Sequence, residues 1–86
     1  MTKYIGLLDK IRVIQTQPLL LRFTLQTTNG PINCVVANID IADRLLIMED
    51  DKYNIAVTGH FNKRKQLVIE TMDLLNPDHY TKSMGI

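Results

Sequence analysis

The sequence is poor in the residues on which disulfide-bonded, zinc-binding and membrane-spanning proteins depend. Among its 86 residues Cys34 is the single cysteine, so no disulfide forms within the chain. One thiol and two histidines are too few for a zinc-ligand cluster, and no apolar run approaches the ~18 residues of a membrane-spanning helix. The chain starts without the apolar core of a secretory signal, and together with the lone thiol this leads us to expect a cytoplasmic location and no membrane partner.

Aromatic residues, net charge and catalytic groups are scarce as well. Aromatics make up 6% of the chain, without a tryptophan, and the net charge is +1, whereas nucleic-acid-binding domains are usually strongly basic. The charges are segregated, however, because the acids concentrate at residues 40–51 and 73–78 and most cations belong to other segments. A basic surface on a near-neutral body is therefore compatible with the sequence. No spacing is typical of nucleophilic catalysis or of a calcium loop, so we expect a non-enzymatic protein without cofactor or metal.

The composition that remains is that of one folded domain. Apolar residues at 45% and charged residues at 22% exclude a disordered chain, which would need fewer hydrophobic residues or a larger net charge. A domain of this length buries only about 60–65% of the surface that its unfolded chain exposes. So thin a core would gain stability from dimerisation.

Alternation of apolar and polar residues predicts five strands, with one short helix between the third and the fourth. The helix is expected to begin at Asp40, whose side chain would cap it, and its apolar residues recur at helical spacing. The predicted strands are Tyr4–Ile14, Leu19–Thr27, Ile32–Asn38, Tyr53–Phe61 and Gln66–Met72, and the predicted apolar helix residues are Ile41, Ala42, Leu45 and Met48.

The same alternation predicts which side chains face the core. Two local irregularities accompany it: Asp9 falls on the core face of the first strand, which indicates a bulge, and Asn29-Gly30 indicates a type I′ hairpin turn. The predicted inward residues are Ile5, Leu7, Ile11 and Val13 in the first strand, Leu21, Phe23 and Leu25 in the second, Ile32, Cys34 and Val36 in the third, Tyr53, Ile55, Val57, Gly59 and Phe61 in the fourth, and Leu67, Ile69 and Thr71 in the fifth.

Three strands, a helix and two strands form the order of an OB-fold, so the sequence predicts an all-β fold, a five-stranded Greek-key barrel with one short helix between strands three and four. We expect the barrel domain to cover residues 1–76 and residues 77–86 to form a flexible C-terminal tail. The segments 21–27 (LRFTLQT), 33–36 (NCVV) and 57–61 (VTGHF) resemble stretches of bacterial single-stranded DNA-binding proteins and of primosomal replication protein N.

The resemblance implies sequence-tolerant binding of single-stranded DNA in replication, recombination or the metabolism of plasmids and phages. Together with the thin core, it also leads us to expect a homodimer or homotetramer. Two departures from the family limit this transfer. The loop between strands two and three is cut to a tight turn, where the family often has a long DNA-contacting loop. The chain also lacks the family's acidic C-terminal tip, since its last residues are TKSMGI, so recruitment of partners by that route is not expected.

Two groups of residues are candidates for a nucleic-acid interface. One is the turn after strand four, where an aromatic ring beside three cations could stack on a base and contact phosphates; the alternative is that Phe61 closes the core and the cations only solubilise the turn. The other is the outward face of the first three strands, which an ordinary solvated strand surface would also explain. The candidate residues are Lys10, Arg12, Arg22, Thr24, Gln26, Asn33, His60, Phe61, Lys63, Arg64 and Lys65.

The first functional hypothesis is therefore binding of single-stranded DNA with little sequence preference. RNA or tRNA is an alternative ligand, because stacking and phosphate contacts do not distinguish RNA from DNA. A second hypothesis is a protein-interaction barrel that uses the small outward face of Asn33, Val35 and Ala37, which the near-neutral charge favours. An enzyme is a remote third reading, since the catalytic groups are missing.

Overall fold

The computed structural model describes residues 2–75, and these form the closed all-β barrel that the sequence predicts. The elements follow one another in the predicted order. Their bounds are β1 Thr2–Thr16, β2 Leu19–Thr27, β3 Gly30–Val36, α1 Ile39–Leu46, β4 Asn54–Phe61 and β5 Leu67–Leu74. The predicted tail, residues 77–86, lies outside the described residues. Within residues 2–75, no helix has the length and apolar character needed to cross a membrane.

The strands close the barrel in the order β1-β2-β3-β5-β4, and β4 pairs in turn with β1. All of these pairs are antiparallel except β3 with β5, which is parallel. With α1 between β3 and β4, this is the topology of an OB-fold barrel. The junction between β3 and β5 is the shortest of the five, because it consists of Cys34 paired with Leu67 and Val35 paired with Val68.

The interior of the barrel is one apolar cluster, and none of the described residues buries a polar or charged side chain. The alternation predicted for β2 is confirmed, since Leu21, Phe23 and Leu25 are buried. In β3, Cys34 and Val36 are also buried as predicted. Each fully buried Leu or Phe side chain stabilises the fold by about 1.5–3 kcal/mol, so these two strands anchor the core.

In β1 the predicted core face is wrong. Leu8 is fully buried, whereas Ile5 and Val13 are 57% and 48% exposed. Both parities of this strand carry apolar residues, so alternation alone does not decide which of them faces inward. The predicted bulge is confirmed: the register with β2 shifts after Asp9, and the bulge is the reason that Ile11 still packs against the core.

The prediction that Asp40 caps the helix is wrong, because the cap lies two residues earlier. The cap is Asn38, whose Oδ1 accepts hydrogen bonds from the backbone N–H groups of Asp40 (3.0 Å) and Ile41 (3.2 Å). Asp40 therefore lies in the first turn, where its negative charge faces the positive end of the helix dipole. Three of the four predicted apolar helix residues, Ile41, Ala42 and Leu45, are buried and pack on the barrel, whereas Met48 lies beyond the end of the helix and is partly buried against the core.

Two residues predicted to face inward from β4 and β5 do not. Phe61 pairs with Leu67 of β5, but it is not among the β4 residues that pair with β1, and it is 49% exposed. In β5 the register against β4 shifts by one residue, and this bulge turns Thr71 outward while Met72 is buried instead.

The tight turn between β2 and β3 is not of type I′. Thr27 pairs with Gly30, and of the residues in this turn Gly30 has a positive φ, of 114°, while Asn29 does not. The hydroxyl of Thr27 fixes this alternative, because it accepts a hydrogen bond from the N–H of Asn29 (3.1 Å) and donates one to the carbonyl of Gly30 (2.7 Å). A side-chain bond of this kind competes with the backbone pattern that a pair of residues with positive φ would need.

Candidate nucleic-acid interface

A polar groove of about 400 Å³ crosses the outer surface of the barrel where β1, β2, β3 and the start of β5 lie side by side. Three of its lining side chains are cations and none is an acid. Neighbouring strands are about 4.8 Å apart, so three spacings from β1 to β5 give the groove a width of roughly 14 Å. We call this surface the cationic groove; its lining residues are Lys10, Arg12, Arg22, Thr24, Asn33 and Gln66.

The strand register arranges these residues in two adjacent rows. Thr24 of β2 pairs with Asn33 of β3, and Gln66, immediately before β5, completes this polar row in the groove. In the next row Arg12 of β1 pairs with Arg22 of β2. Residues two apart on a strand share a face, so alternate outward positions from separate strands meet in one groove.

The row of arginines continues over two valines. Arg22 pairs with Val35 of β3, and Val35 pairs with Val68 of β5. Both valines are half-buried, so they leave a small apolar surface beside the polar row. A flat aromatic base can lie on such a surface while cations beside it contact phosphates.

The cations of the groove differ in whether other groups of the protein bind their side chains. Within residues 2–75, the side chains of Lys10 and Arg22 make no hydrogen bond or ion pair. Arg12 is held more closely, because its Nη1 donates to the carbonyl oxygen of Ile11 (2.8 Å) and lies 3.6 Å from Oδ2 of Asp50. An unpaired guanidinium or ammonium group in a groove is available to a phosphate.

The turn between β4 and β5 leads directly into the groove, and Asn62 organises it. The Oδ1 atom of Asn62 accepts from the N–H groups of Arg64 (2.9 Å) and Gln66 (3.0 Å), while its Nδ2 donates to Oε1 of Gln66 (3.0 Å). Lys65 completes the turn with a φ of 62°. Lys63, Arg64 and Lys65 are exposed, next in sequence to the groove residue Gln66.

The aromatic residue that precedes this turn is not part of the core. Phe61 packs edge to face against Tyr4, with ring centroids 6.0 Å apart and an interplanar angle of 80°. Because its ring is about half exposed, it remains open to a further stacking partner.

His60 and Gln26, also predicted as contacts, lie outside the groove lining. His60 pairs with Val68 on the far side of the valine surface, and its Nδ1 lies 3.4 Å from Oε2 of Glu70. Gln26 pairs with Pro31 near the β2–β3 turn and is half-buried. The structure thus brings together Lys10, Arg12, Arg22, Thr24 and Asn33 in one groove and places Phe61 and His60 apart from it.

Two residues of this region were not expected from the sequence. Gln66 enters the groove because β5 pairs in parallel with β3, a long-range pairing with no local sequence signal. Asp50 is exposed in the segment between α1 and β4, and its Oδ1 also accepts a hydrogen bond from the N–H of Ile11 (2.8 Å), a contact that the sequence does not predict.

Cys34 lies behind the groove, between the outward residues Asn33 and Val35 of the same strand. Burial raises the pKa of its thiol to about 12, against a smaller opposing effect of the Leu25 backbone. The thiol is therefore protonated at neutral pH and unsuited to nucleophilic chemistry. No group of three or more His, Cys, Asp and Glu side chains within residues 2–75 is arranged to hold a metal ion.

No protein-family model matches the chain, and no curated protein sequence is significantly similar to it. The barrel topology and the geometry of the groove therefore carry the functional argument.

Proposed function

We propose that this protein binds single-stranded nucleic acid, DNA in the first place, across the cationic groove. The observation that carries the proposal is that cations from two strands, Lys10 and Arg12 of β1 and Arg22 of β2, converge in a groove whose lining contains no acid. In an OB-fold barrel, the middle strands and the loops beside them are the usual ligand surface.

The chemistry of the groove matches the two parts of a nucleotide. Phosphates interact with the guanidinium of Arg22 and the ammonium of Lys10, which are unpaired in the described residues. Bases have an apolar face that fits over Val35 and Val68, and edges that hydrogen-bond with amides such as that of Asn33. A duplex hides its base faces in the stack, so this surface favours a single strand.

The turn between β4 and β5 extends the same path. Its three exposed cations follow Phe61 and precede the groove residue Gln66, so a strand that leaves the groove over β5 meets further positive charge. With so few aromatic rings, we expect phosphate contacts to contribute more affinity than stacking, and hence a steep dependence on salt.

The alternative, a protein-interaction barrel, assigned the face of Asn33, Val35 and Ala37 to a protein partner. Asn33 instead lines a polar cationic groove, and Val35 is half-buried beside it. Cores of protein interfaces are depleted in charged residues, so the charge of this groove favours nucleic acid as its ligand.

The test is a fluorescence-anisotropy titration of a labelled ~30-nucleotide single DNA strand at about 50 mM and about 200 mM salt, a range over which phosphate contacts lose affinity. Unlabelled RNA and duplex DNA serve as competitors. Arg22→Gln is compared with Arg44→Gln, which removes the same charge from α1, away from the groove. We expect the wild type to prefer the single strand, and Arg22→Gln alone to weaken binding and flatten the salt dependence.

No binding at the lower salt, or equal losses for the two variants, would contradict the proposal. Stronger competition by RNA than by DNA would keep the groove as the site and change the ligand. Three further expectations stay predictions: a role in replication, recombination or mobile-element metabolism, a homodimeric or homotetrameric state, and a cytoplasmic location. Sedimentation velocity measures the oligomeric state directly.

A further inference from the structure

Two acids lie at the β1 end of the cationic groove without lining it: Asp9, which pairs with the groove residue Thr24, and Asp50. Asp50 follows α1, and its carboxylate meets two groups of β1 at once. Oδ1 accepts a hydrogen bond from the backbone N–H of Ile11 at 2.8 Å, and Oδ2 lies 3.6 Å from Nη1 of the groove residue Arg12. Asp50 therefore faces a cation that the groove offers to phosphate.

The position of this carboxylate is fixed by the backbone around it. The N–H of Ile11 belongs to the bulge of β1, where Lys10 has a φ of 54°. The segment that carries Asp50 is tied to the same part of β1, because the N–H of Asp51 donates to the carbonyl of Leu8 (2.9 Å) and the N–H of Leu8 donates to the carbonyl of Tyr53 (2.8 Å).

Because the bulge amide holds one oxygen, Asp50 cannot swing away when Arg12 turns toward another anion. Its charge stays within a few ångströms of the place where a phosphate would meet Arg12. The side chains of Asp50 and Arg12 are 43% and 62% exposed, so water screens their attraction and the pair is weak enough to be exchanged.

We propose that Asp50 is an intramolecular competitor of phosphate for Arg12 and thereby limits the affinity of the cationic groove for single strands. This inference rests on the proposed function of the groove. In the free protein the carboxylate takes the place of an anion beside Arg12; when a strand binds, Arg12 exchanges Asp50 for a phosphate only in part. Asp50 is thus a positioning residue that sets how many cations contact phosphate.

The experiment compares Asp50→Asn with Asp73→Asn in the same salt titration. The amide oxygen of Asn keeps the hydrogen bond from Ile11, so the bulge is preserved while the charge is lost. Asp73, exposed on β5 and paired with Ala56 of β4, provides the same change in net charge outside the groove. We expect Asp50→Asn to bind about fivefold tighter at low salt, the factor that an exposed ion pair at the upper end of its range represents.

The salt dependence is the readout that a merely structural role would not move. One added phosphate contact on a single strand makes the slope of log K against log salt steeper by about 0.7. In an Arg12→Gln background the effect of Asp50→Asn on this slope should disappear, because the cation for which the acid competes is gone.

The outcomes separate the two proposals. If the wild type binds a single strand and Asp50→Asn changes neither affinity nor slope beyond Asp73→Asn, the role of Asp50 is refuted and the groove stands. If neither the wild type nor Asp50→Asn binds, both proposals fail. Binding by Asp50→Asn alone would support the competition strongly. Equal melting temperatures of wild type and Asp50→Asn establish that the fold is not the cause of any difference.

Discussion

Gly59 of β4 lies so close to the carbonyl oxygen of Val68 on β5 that no Cβ atom fits between the two backbones. This approach occurs where the register of the two strands shifts, next to the bulge of β5. It gives a physical reason for the glycine of the Val57-Thr58-Gly59 segment, since a side chain there would push the two strands apart.

Gly59→Ala should therefore destabilise the barrel by about 3 kcal/mol, the upper end of the usual cost of overpacking, because the obstacle is backbone and cannot rotate away. Urea unfolding followed by circular dichroism measures the change. As a control, Glu70→Ala alters an exposed residue of the neighbouring bulge and should stay within about 0.5 kcal/mol of wild type. Similar stabilities for wild type and Gly59→Ala would show that the strands part easily at this point.

Phe61 tests whether stacking contributes to binding. Because its ring is about half exposed and packs on Tyr4 only edge to face, Phe61→Leu should change stability by less than about 1 kcal/mol. If a base stacks on the ring, the same substitution weakens single-strand binding by about 1–3 kcal/mol, whereas Phe61→Tyr, which keeps a ring, preserves it. Anisotropy titration of both variants decides the matter, and equal affinity of Phe61→Leu and wild type would remove Phe61 from the interface.

Asn62 should matter for binding although it carries no charge. Its side chain holds the turn that presents Lys63, Arg64 and Lys65, through bonds to Arg64 and Gln66. Asn62→Ala removes these bonds, and we expect a loss of about 1–2 kcal/mol in stability together with weaker binding of single strands. Asn62→Asp keeps the acceptor oxygen for the two N–H groups and should recover most of the stability. Unchanged unfolding of Asn62→Ala would mean that the turn is held by its backbone alone.

The buried thiol of Cys34 predicts a dependence of stability on pH. Its pKa is about 12 in the folded protein against 9.0 for an ordinary thiol, so above pH 9.0 the unfolded chain releases a proton that the folded protein keeps. The stabilisation from the protonated thiol is complete below that pH and is lost as the pH rises toward the folded value, by about 1.4 kcal/mol per unit.

Denaturant unfolding of wild type and Cys34→Ala between about pH 8 and about pH 10 isolates this contribution, because lysines and tyrosines titrate equally in both proteins. We expect a steeper fall for the wild type. Parallel curves for the two proteins would contradict the burial of this thiol, and so would rapid reaction of Cys34 with a thiol reagent under native conditions.

The sequence predicts those parts of the fold in which each strand has one apolar face. Leu21, Phe23 and Leu25 alternate with polar residues, so their burial follows from period two alone. In β1 the apolar residues occupy both faces. Leu8 is the residue that faces the core because β1 pairs with both β2 and β4, and these pairings set its orientation. The exposure of Phe61 is a property of the assembled barrel, because the alternation within β4 alone would place this residue on the core face.

The candidate site divides in the same way. Arg22, Thr24 and Asn33 follow from strand alternation and from the hairpin that pairs β2 with β3. The entry of Gln66 requires the parallel pairing of β3 with β5, and the contact of Asp50 with Ile11 joins residues that are 39 positions apart. Neither contact is accompanied by a local sequence pattern, so neither could be predicted from the sequence.

The short junction between β3 and β5 has a mechanical consequence for the whole molecule. Only the pairs Cys34–Leu67 and Val35–Val68 connect β3 with β5, fewer than connect any other two neighbouring strands. We therefore expect the barrel to open first between β3 and β5. The cationic groove straddles this junction, because Asn33 lies on one side of it and Gln66 on the other. If a single nucleic-acid strand binds in the groove as proposed, it would contact both sides of this junction and thereby stabilise the barrel against opening.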